Sequence, residues 1–143
     1  MVRSESDGIT VLMTGAGAPG CAGIVRSLRS TDERPIRIVG VDMDPTAYGF
    51  ALVDESATVP EGGDDDYVPR MVELAEREDA DVVLPLTTAE LGPLARNRDA
   101  FDAAVMVSPE DALAVANDKG RLYGFLNDEG FDCAPTFRRV DDA

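Results

Sequence analysis

The 143-residue chain has no histidine, two cysteines and a single lysine, Lys119. Without histidine the usual general acid–base is missing. Two cysteines and no histidine leave almost no material for a soft-metal site. Cys21 falls on the inner face of the first expected helix and Cys133 lies near the end. No disulfide framework follows from that pair, so a reducing cytoplasm is the expected location. No apolar run approaches the ~18 residues that span a bilayer. The first residues carry acids early and no long apolar core, so no signal peptide is expected.

What the chain has instead is negative charge, 28 acidic against 13 basic residues for a formal net charge of −15. No basic patch exists to meet phosphates, which argues against nucleic acid as a partner. Twelve of the basic residues are arginine, and the acids are spread along the whole chain. Such acid-rich, lysine-poor surfaces suit a salt-loaded cytoplasm. Self-repulsion is strong in dilute buffer and largely vanishes at ~1 M salt, where the Debye length is ~3 Å. The length is that of one ordinary domain, which buries enough surface to fold without a disulfide or metal.

Apolar patterning places five short buried strands between helices. Strands are expected at Ile9–Thr14, Arg37–Val41, Ser56–Val59, Asp81–Pro85 and Ala103–Val107. Cys21, Ile24, Val25 and Leu28 mark the apolar face of a first helix. A loop or short helix covers residues 46–52. A second helix, capped by Asp64 or Asp65, runs to about Glu78 with Tyr67, Val68, Met71, Leu74 and Ala75 inward and Pro69 in its first turn. Thr87-x-x-Glu90 is a capping box that opens a third helix. Ser108 as cap and Pro109 at the first helical position start a fourth. The fifth covers about Lys119–Asp128, with Leu122, Phe125 and Leu126 inward and Gly130 after it. Buried strands alternating with helices predict a Rossmann-like α/β fold: a three-layer, doubly wound parallel sheet of about five strands with the first strand central.

Three places carry candidate chemistry. Gly15, Gly17 and Gly20 satisfy G-x-G-x-x-G between the first strand and helix, and Asp42 ends the next strand, where a dinucleotide enzyme holds a ribose. The same glycines also serve a tight strand-to-helix turn, and an aspartate commonly ends a buried strand. Absent histidine and scarce lysine weigh against an NAD-dependent oxidoreductase, and Tyr123 follows Lys119 in the reverse of the Tyr-x-x-x-Lys order. Thr87, Thr88 and Glu90 lie just past the fourth strand, at the edge where open α/β sheets bind ligands. Glu90 can serve there as a capping residue, as a holder of a substrate amine, or as both. Lys119, the one lysine, opens a helix, where a cation gains nothing from the dipole but an ammonium suits phosphate.

Taken in order, the segments form a recognisable set. They are the glycine loop, G-V-D-M-D-P, L-V-D-E-S-A-T-V-P, V-L-P-L-T-T-A-E-L, N-D-K-G-R-L and G-F-D-C-A-P-T-F. This order resembles the N-terminal pre-ATP-grasp domain of ATP-grasp ligases, closest to those similar to the carbamoyl-phosphate synthase large subunit. The resemblance implies a pre-ATP-grasp domain over residues 1–135. Residues 136–143 then begin a linker or strand into an ATP-grasp domain beyond this chain. It implies an enzyme that uses ATP and Mg to turn a small-molecule carboxylate into an acylphosphate and joins it to an amine or other nucleophile. The loop glycines 15, 17 and 20, with Thr88 and Glu90, would face the substrate, and Lys119 would reach ATP. No residue of this chain is assigned a catalytic or metal-ligating role, and the fragment alone is expected to be inactive. Homo-oligomerisation stays open. The rivals are an NAD(P)-binding Rossmann domain of an oxidoreductase and a non-catalytic small-molecule binding module.

Overall fold

The computed structural model describes residues 8–133. Five strands, β1 (Ile9–Met13), β2 (Ile36–Asp42), β3 (Glu55–Thr58), β4 (Val82–Leu84) and β5 (Ala104–Val105), form one sheet in the order β3-β2-β1-β4-β5. Every pairing is parallel, so β1 is central as the alternation implied. The helices are α1 (Cys21–Arg29), α2 (Tyr67–Arg77), α3 (Thr88–Arg96), α4 (Glu110–Ala116) and α5 (Lys119–Asp128), with a 3-10 turn at Tyr48–Ala51. The chain divides into two compact units that part between Val107 and Ser108.

In the first unit the inner strands β1, β2 and β4 are covered on both faces, which is why they read as mostly apolar runs, whereas the edge strand β3 is largely exposed and not buried as expected. Leu12, Val39, Val41, Val83 and Val105 pack with Tyr67, Met71 and Leu74 of α2 and Leu94 of α3. The alternate residues Val11, Met13 and Ile38 pack with Cys21 and Val25 of α1 on the opposite face. The period-2 alternation of strand side chains thus sends neighbouring residues into two separate cores. The outcome is a three-layer α/β unit.

Several boundaries differ from the sequence reading. Neither Asp64 nor Asp65 caps α2. Asp66 holds the cap position without a side-chain bond, because a turn joining Tyr67 N–H to the Asp64 carbonyl (3.1 Å) precedes the helix. Pro109 lies outside α4 at φ −54°, ψ 152°, and its carbonyl accepts the first helical bond from Leu113. It is therefore the cap residue in place of Ser108. β5 is two residues long and not five. In the second unit Phe125 is 52% exposed and not inward, while Leu122 and Leu126 are half-buried. Within the segment G-F-D-C-A-P-T-F, residues 131–133 have no regular structure and 134–137 lie outside the described residues. The same holds for residues 136–143.

Candidate functional site

The carboxyl edge of the sheet carries a cleft of about 120 Å³. Its lining comes from the chain just after the strands, Thr14 and Gly15 after β1, Met43 after β2, Val59–Gly62 after β3 and Thr87 after β4, together with Tyr67 of α2 and Glu90 of α3. A larger open cavity of about 640 Å³ lies at the amino edge, around Gly8–Thr10 and Pro35–Arg37. Parallel α/β sheets present their ligand-binding loops at the carboxyl ends of strands, so the smaller cleft is the candidate site.

Glu90 is the centre of its inner wall. It is 4% exposed, and four donors meet its carboxylate. Oε1 accepts from the Thr14 hydroxyl, from Leu86 N–H at 3.2 Å and from Thr87 N–H at 2.9 Å. Oε2 accepts from the Tyr67 hydroxyl at 2.5 Å. The capping box read from the sequence is present, with Thr87 as cap of α3. It is also more than a cap, since one side chain ties the ends of β1 and β4 to the start of α2. Burial, then the Glu90 charge and the hydrogen bond to it, push the Tyr67 phenol well above its ordinary value. Gly62 closes against the same helix start: a Cβ there would come within 2.9 Å of Glu90 Cβ.

The glycine loop is clamped from the other side by the segment after β2. Asp42 Oδ2 accepts Gly17 N–H at 2.7 Å. The Ala16 carbonyl accepts Gly49 N–H at 3.1 Å, and the Ala18 carbonyl accepts the Tyr48 hydroxyl at 2.7 Å. Gly15 has φ +61°, which favours glycine, and a Cβ there would meet Thr87 Cγ2 at 2.8 Å. Gly20 has open space around it. Beneath the loop Cys21 is buried, and its thiol is raised by burial and by Asp42.

Of the residues singled out in the sequence, Gly15 and Glu90 line the cleft. Gly17 touches it through Asp42, which also lines it. Thr88 is exposed at the first position of α3, and its neighbour Thr87 lines the cleft. Lys119 is exposed at the start of α5 in the second unit, where Asp118 caps the helix through Arg121 N–H at 3.0 Å. Sequence reasoning missed Thr14, Glu61 and the polar role of Tyr67. The last had a signal, because a tyrosine on an apolar helix face must bury a hydroxyl, and a buried hydroxyl needs a partner. Among the described residues no group of three or more acids or cysteines is arranged to hold a metal ion.

The family model of the PylC-like N-terminal domain matches residues 11–108, ending where the first compact unit ends. None of the curated proteins matches the chain. Among solved structures, N5-carboxyaminoimidazole synthetase from Staphylococcus aureus complexed with ADP is similar, with TM-score 0.63 and 13% identity over 91% of this chain and 32% of that one. The biotin carboxylase domain of a thermophilic 2-oxoglutarate carboxylase bound to ADP gives TM-score 0.63 and 20% identity over 94% and 31%. A complete multifunctional pyruvate carboxylase from Rhizobium etli gives TM-score 0.56 and 15% identity over 94% and 13%. At these identities the likeness speaks for the fold. This chain spans about a third of the first two structures.

Proposed function

The chain belongs to the PylC-like N-terminal domain family, and on that premise we propose that it is the substrate-side domain of an ATP-grasp ligase. The carrying observation is the carboxyl-edge cleft, built on a parallel sheet whose fold is that of the ADP-bound synthetase and biotin carboxylase domain. The reaction class follows from the resemblance to ATP-grasp ligases: a small-molecule carboxylate is activated with ATP and joined to an amine or other nucleophile. A carbamoyl-phosphate synthase-like reaction is one member of that class.

The described residues do not themselves fit Mg-ATP. No metal-holding group is found among the described residues, and Gly17 N–H is already donated to Asp42. The nucleotide and its metal are therefore assigned to an ATP-grasp domain following this one, with Lys119 offering a single charged contact. The cleft holds and orients the substrate. Thr14, Glu90 and Tyr67 fix its walls, while Thr87 and Glu61 face the substrate. A salt-adapted cytoplasm is the proposed setting. It rests on the charge of −15.

Calorimetry tests this reading. One charge-assisted hydrogen bond contributes about 1.5–3 kcal/mol, whereas micromolar affinity needs about 8 kcal/mol. ATP should therefore bind a polypeptide that carries the following ATP-grasp domain and not this chain alone. In the longer protein Lys119→Ala should weaken ATP more than Asp42→Ala. Tight NAD binding to the short chain would transfer the case to an oxidoreductase, and equal effects of the two substitutions would remove Lys119 from the site.

A further inference from the structure

Five backbone donors between Thr14 and Cys21, the middle glycine's among them, are already engaged inside the protein. Thr14 N–H donates to the Leu84 carbonyl at 3.1 Å and Ala16 N–H to the Val41 carbonyl at 3.1 Å. Ala18 N–H donates to the Gly15 carbonyl at 2.8 Å and Cys21 N–H to the Ala18 carbonyl at 3.0 Å. Pro19 has no N–H to give. Gly17 N–H, at the middle glycine of the motif, donates to Asp42 Oδ2 at 2.7 Å. A glycine loop opening a helix ordinarily turns such donors toward an external anion. Here a carboxylate from the end of β2 takes that place.

We propose that Asp42 is a specificity-determining residue that closes the glycine loop to phosphate, acting as an internal anion where a nucleotide's phosphates would otherwise sit. Two effects combine. The donor is occupied by a charge-assisted bond, which is short and about twice as strong as a neutral one. Any incoming phosphate also meets a like charge at contact distance. Asp42 is held for the role, since its Oδ1 accepts Asp44 N–H at 2.9 Å and a Cβ on Gly17 would stand 3.2 Å from Oδ2. Only a glycine at position 17 lets the carboxylate approach without displacement. Gly17 serves that approach and Gly15 the left-handed turn, while Gly20 meets neither need. The loop contributes to the cleft as a wall, and phosphate recognition belongs elsewhere.

The inference shares the Gly17–Asp42 bond with the proposed function but not its ligase chemistry, and the Lys119→Ala comparison in the longer protein stands whatever pyrophosphate does here, so the two tests fail separately. Inorganic pyrophosphate is titrated into the isotope-labelled chain at fixed KCl while the Gly17 amide is followed by NMR. The native chain should show no shift at Gly17. Asp42→Ala should bind pyrophosphate at least about tenfold more tightly, with Gly17 among the shifted amides. Asp42→Asn keeps the volume and an acceptor oxygen, so it preserves the fold should the alanine variant lose it. By removing the charge it should give a smaller gain of several-fold. Pyrophosphate bound at Gly17 of the native chain would overturn the proposal, as would a folded Asp42→Asn with no gain.

Discussion

The Tyr67 hydroxyl, carried by the first residue of α2, donates at 2.5 Å to Glu90 Oε2 in the first turn of α3, 23 residues away in the chain. The same carboxylate reaches Thr14 at the end of β1, so one buried charge joins three walls of the cleft.

Replacing that carboxylate should cost stability in graded steps. In Glu90→Gln the amide oxygen must stay on the two backbone donors, Leu86 N–H and Thr87 N–H, which cannot turn away. The amide NH2 then faces Tyr67, whose hydroxyl has to accept and loses its own acceptor. The loss of charge-assisted bonds is expected to destabilise by about 1.5–3 kcal/mol. Glu90→Ala strands the Thr14 and Tyr67 hydroxyls and Thr87 N–H, while Leu86 N–H keeps Thr14 Oγ1 at 3.0 Å, and it opens a cavity, so about 3–5 kcal/mol is expected. Urea unfolding at fixed KCl checks the order. An alanine variant no less stable than the glutamine one would show that the network is not what holds the wall.

Tyr67 gives a signature in alkali. Its folded phenol titrates above the unfolded value because of burial and the neighbouring Glu90. The contribution is whole below about pH 10 and is lost as pH rises further, because the unfolded chain sheds a proton that the folded chain retains. The slope approaches about 1.4 kcal/mol per pH unit. Tyr67→Phe should be less stable near neutrality and lack this alkaline slope. Urea midpoints of both proteins between about pH 9 and pH 11 decide it. Parallel lines would mean that the phenol is not buried against a charge.

Two glycines should respond in opposite directions. A Cβ at Gly49 would lie 2.1 Å from the Ala16 carbonyl oxygen and 2.6 Å from Cys21 Sγ, with backbone on one side and the α1 start on the other. Gly49→Ala must push the glycine loop off its support and is expected to cost more than about 3 kcal/mol. Gly23, exposed inside α1, has nothing within 4 Å of its added Cβ. Gly23→Ala is expected to stabilise by about 0.5–1 kcal/mol through helix propensity. Thermal melts of the two variants check the contrast, and similar melting temperatures would refute it.

The sheet was legible because burial on both faces writes itself as apolar runs, and alternation with helices leaves few topologies. The capping box at Thr87 and Glu90 was legible because it is local. What the carboxylate does beyond the cap was not, since Thr14 and Tyr67 reach it across 76 and 23 residues and no spacing rule joins them. Gly49 was passed over for the same reason: its need for a bare Cα arises from Ala16 and Cys21, far away in sequence. Asp42 was noticed only for its place at the end of β2, where a dinucleotide enzyme holds a ribose, because a motif records residue types and not which partner takes their hydrogen bonds.

The net charge of −15 makes the last prediction one about salt. Two effects oppose each other as KCl rises. Screening weakens described ion pairs such as Arg29–Asp54, Arg70–Glu73 and Arg121–Asp118, all with at least one partner well exposed. Pairs of that kind contribute only about 0–1 kcal/mol each. Screening also relieves repulsion among the unbalanced acids, which acts over ~30 Å at 0.01 M salt and only ~3 Å at 1 M. Many repulsive terms at long range outweigh a few short attractive ones. The melting temperature should therefore climb by more than about 5 °C between dilute buffer and molar KCl. Most of the climb should come at low salt, where the Debye length changes fastest. A flat or falling curve would show that the ion pairs balance the repulsion and that the acidic surface is no adaptation to salt.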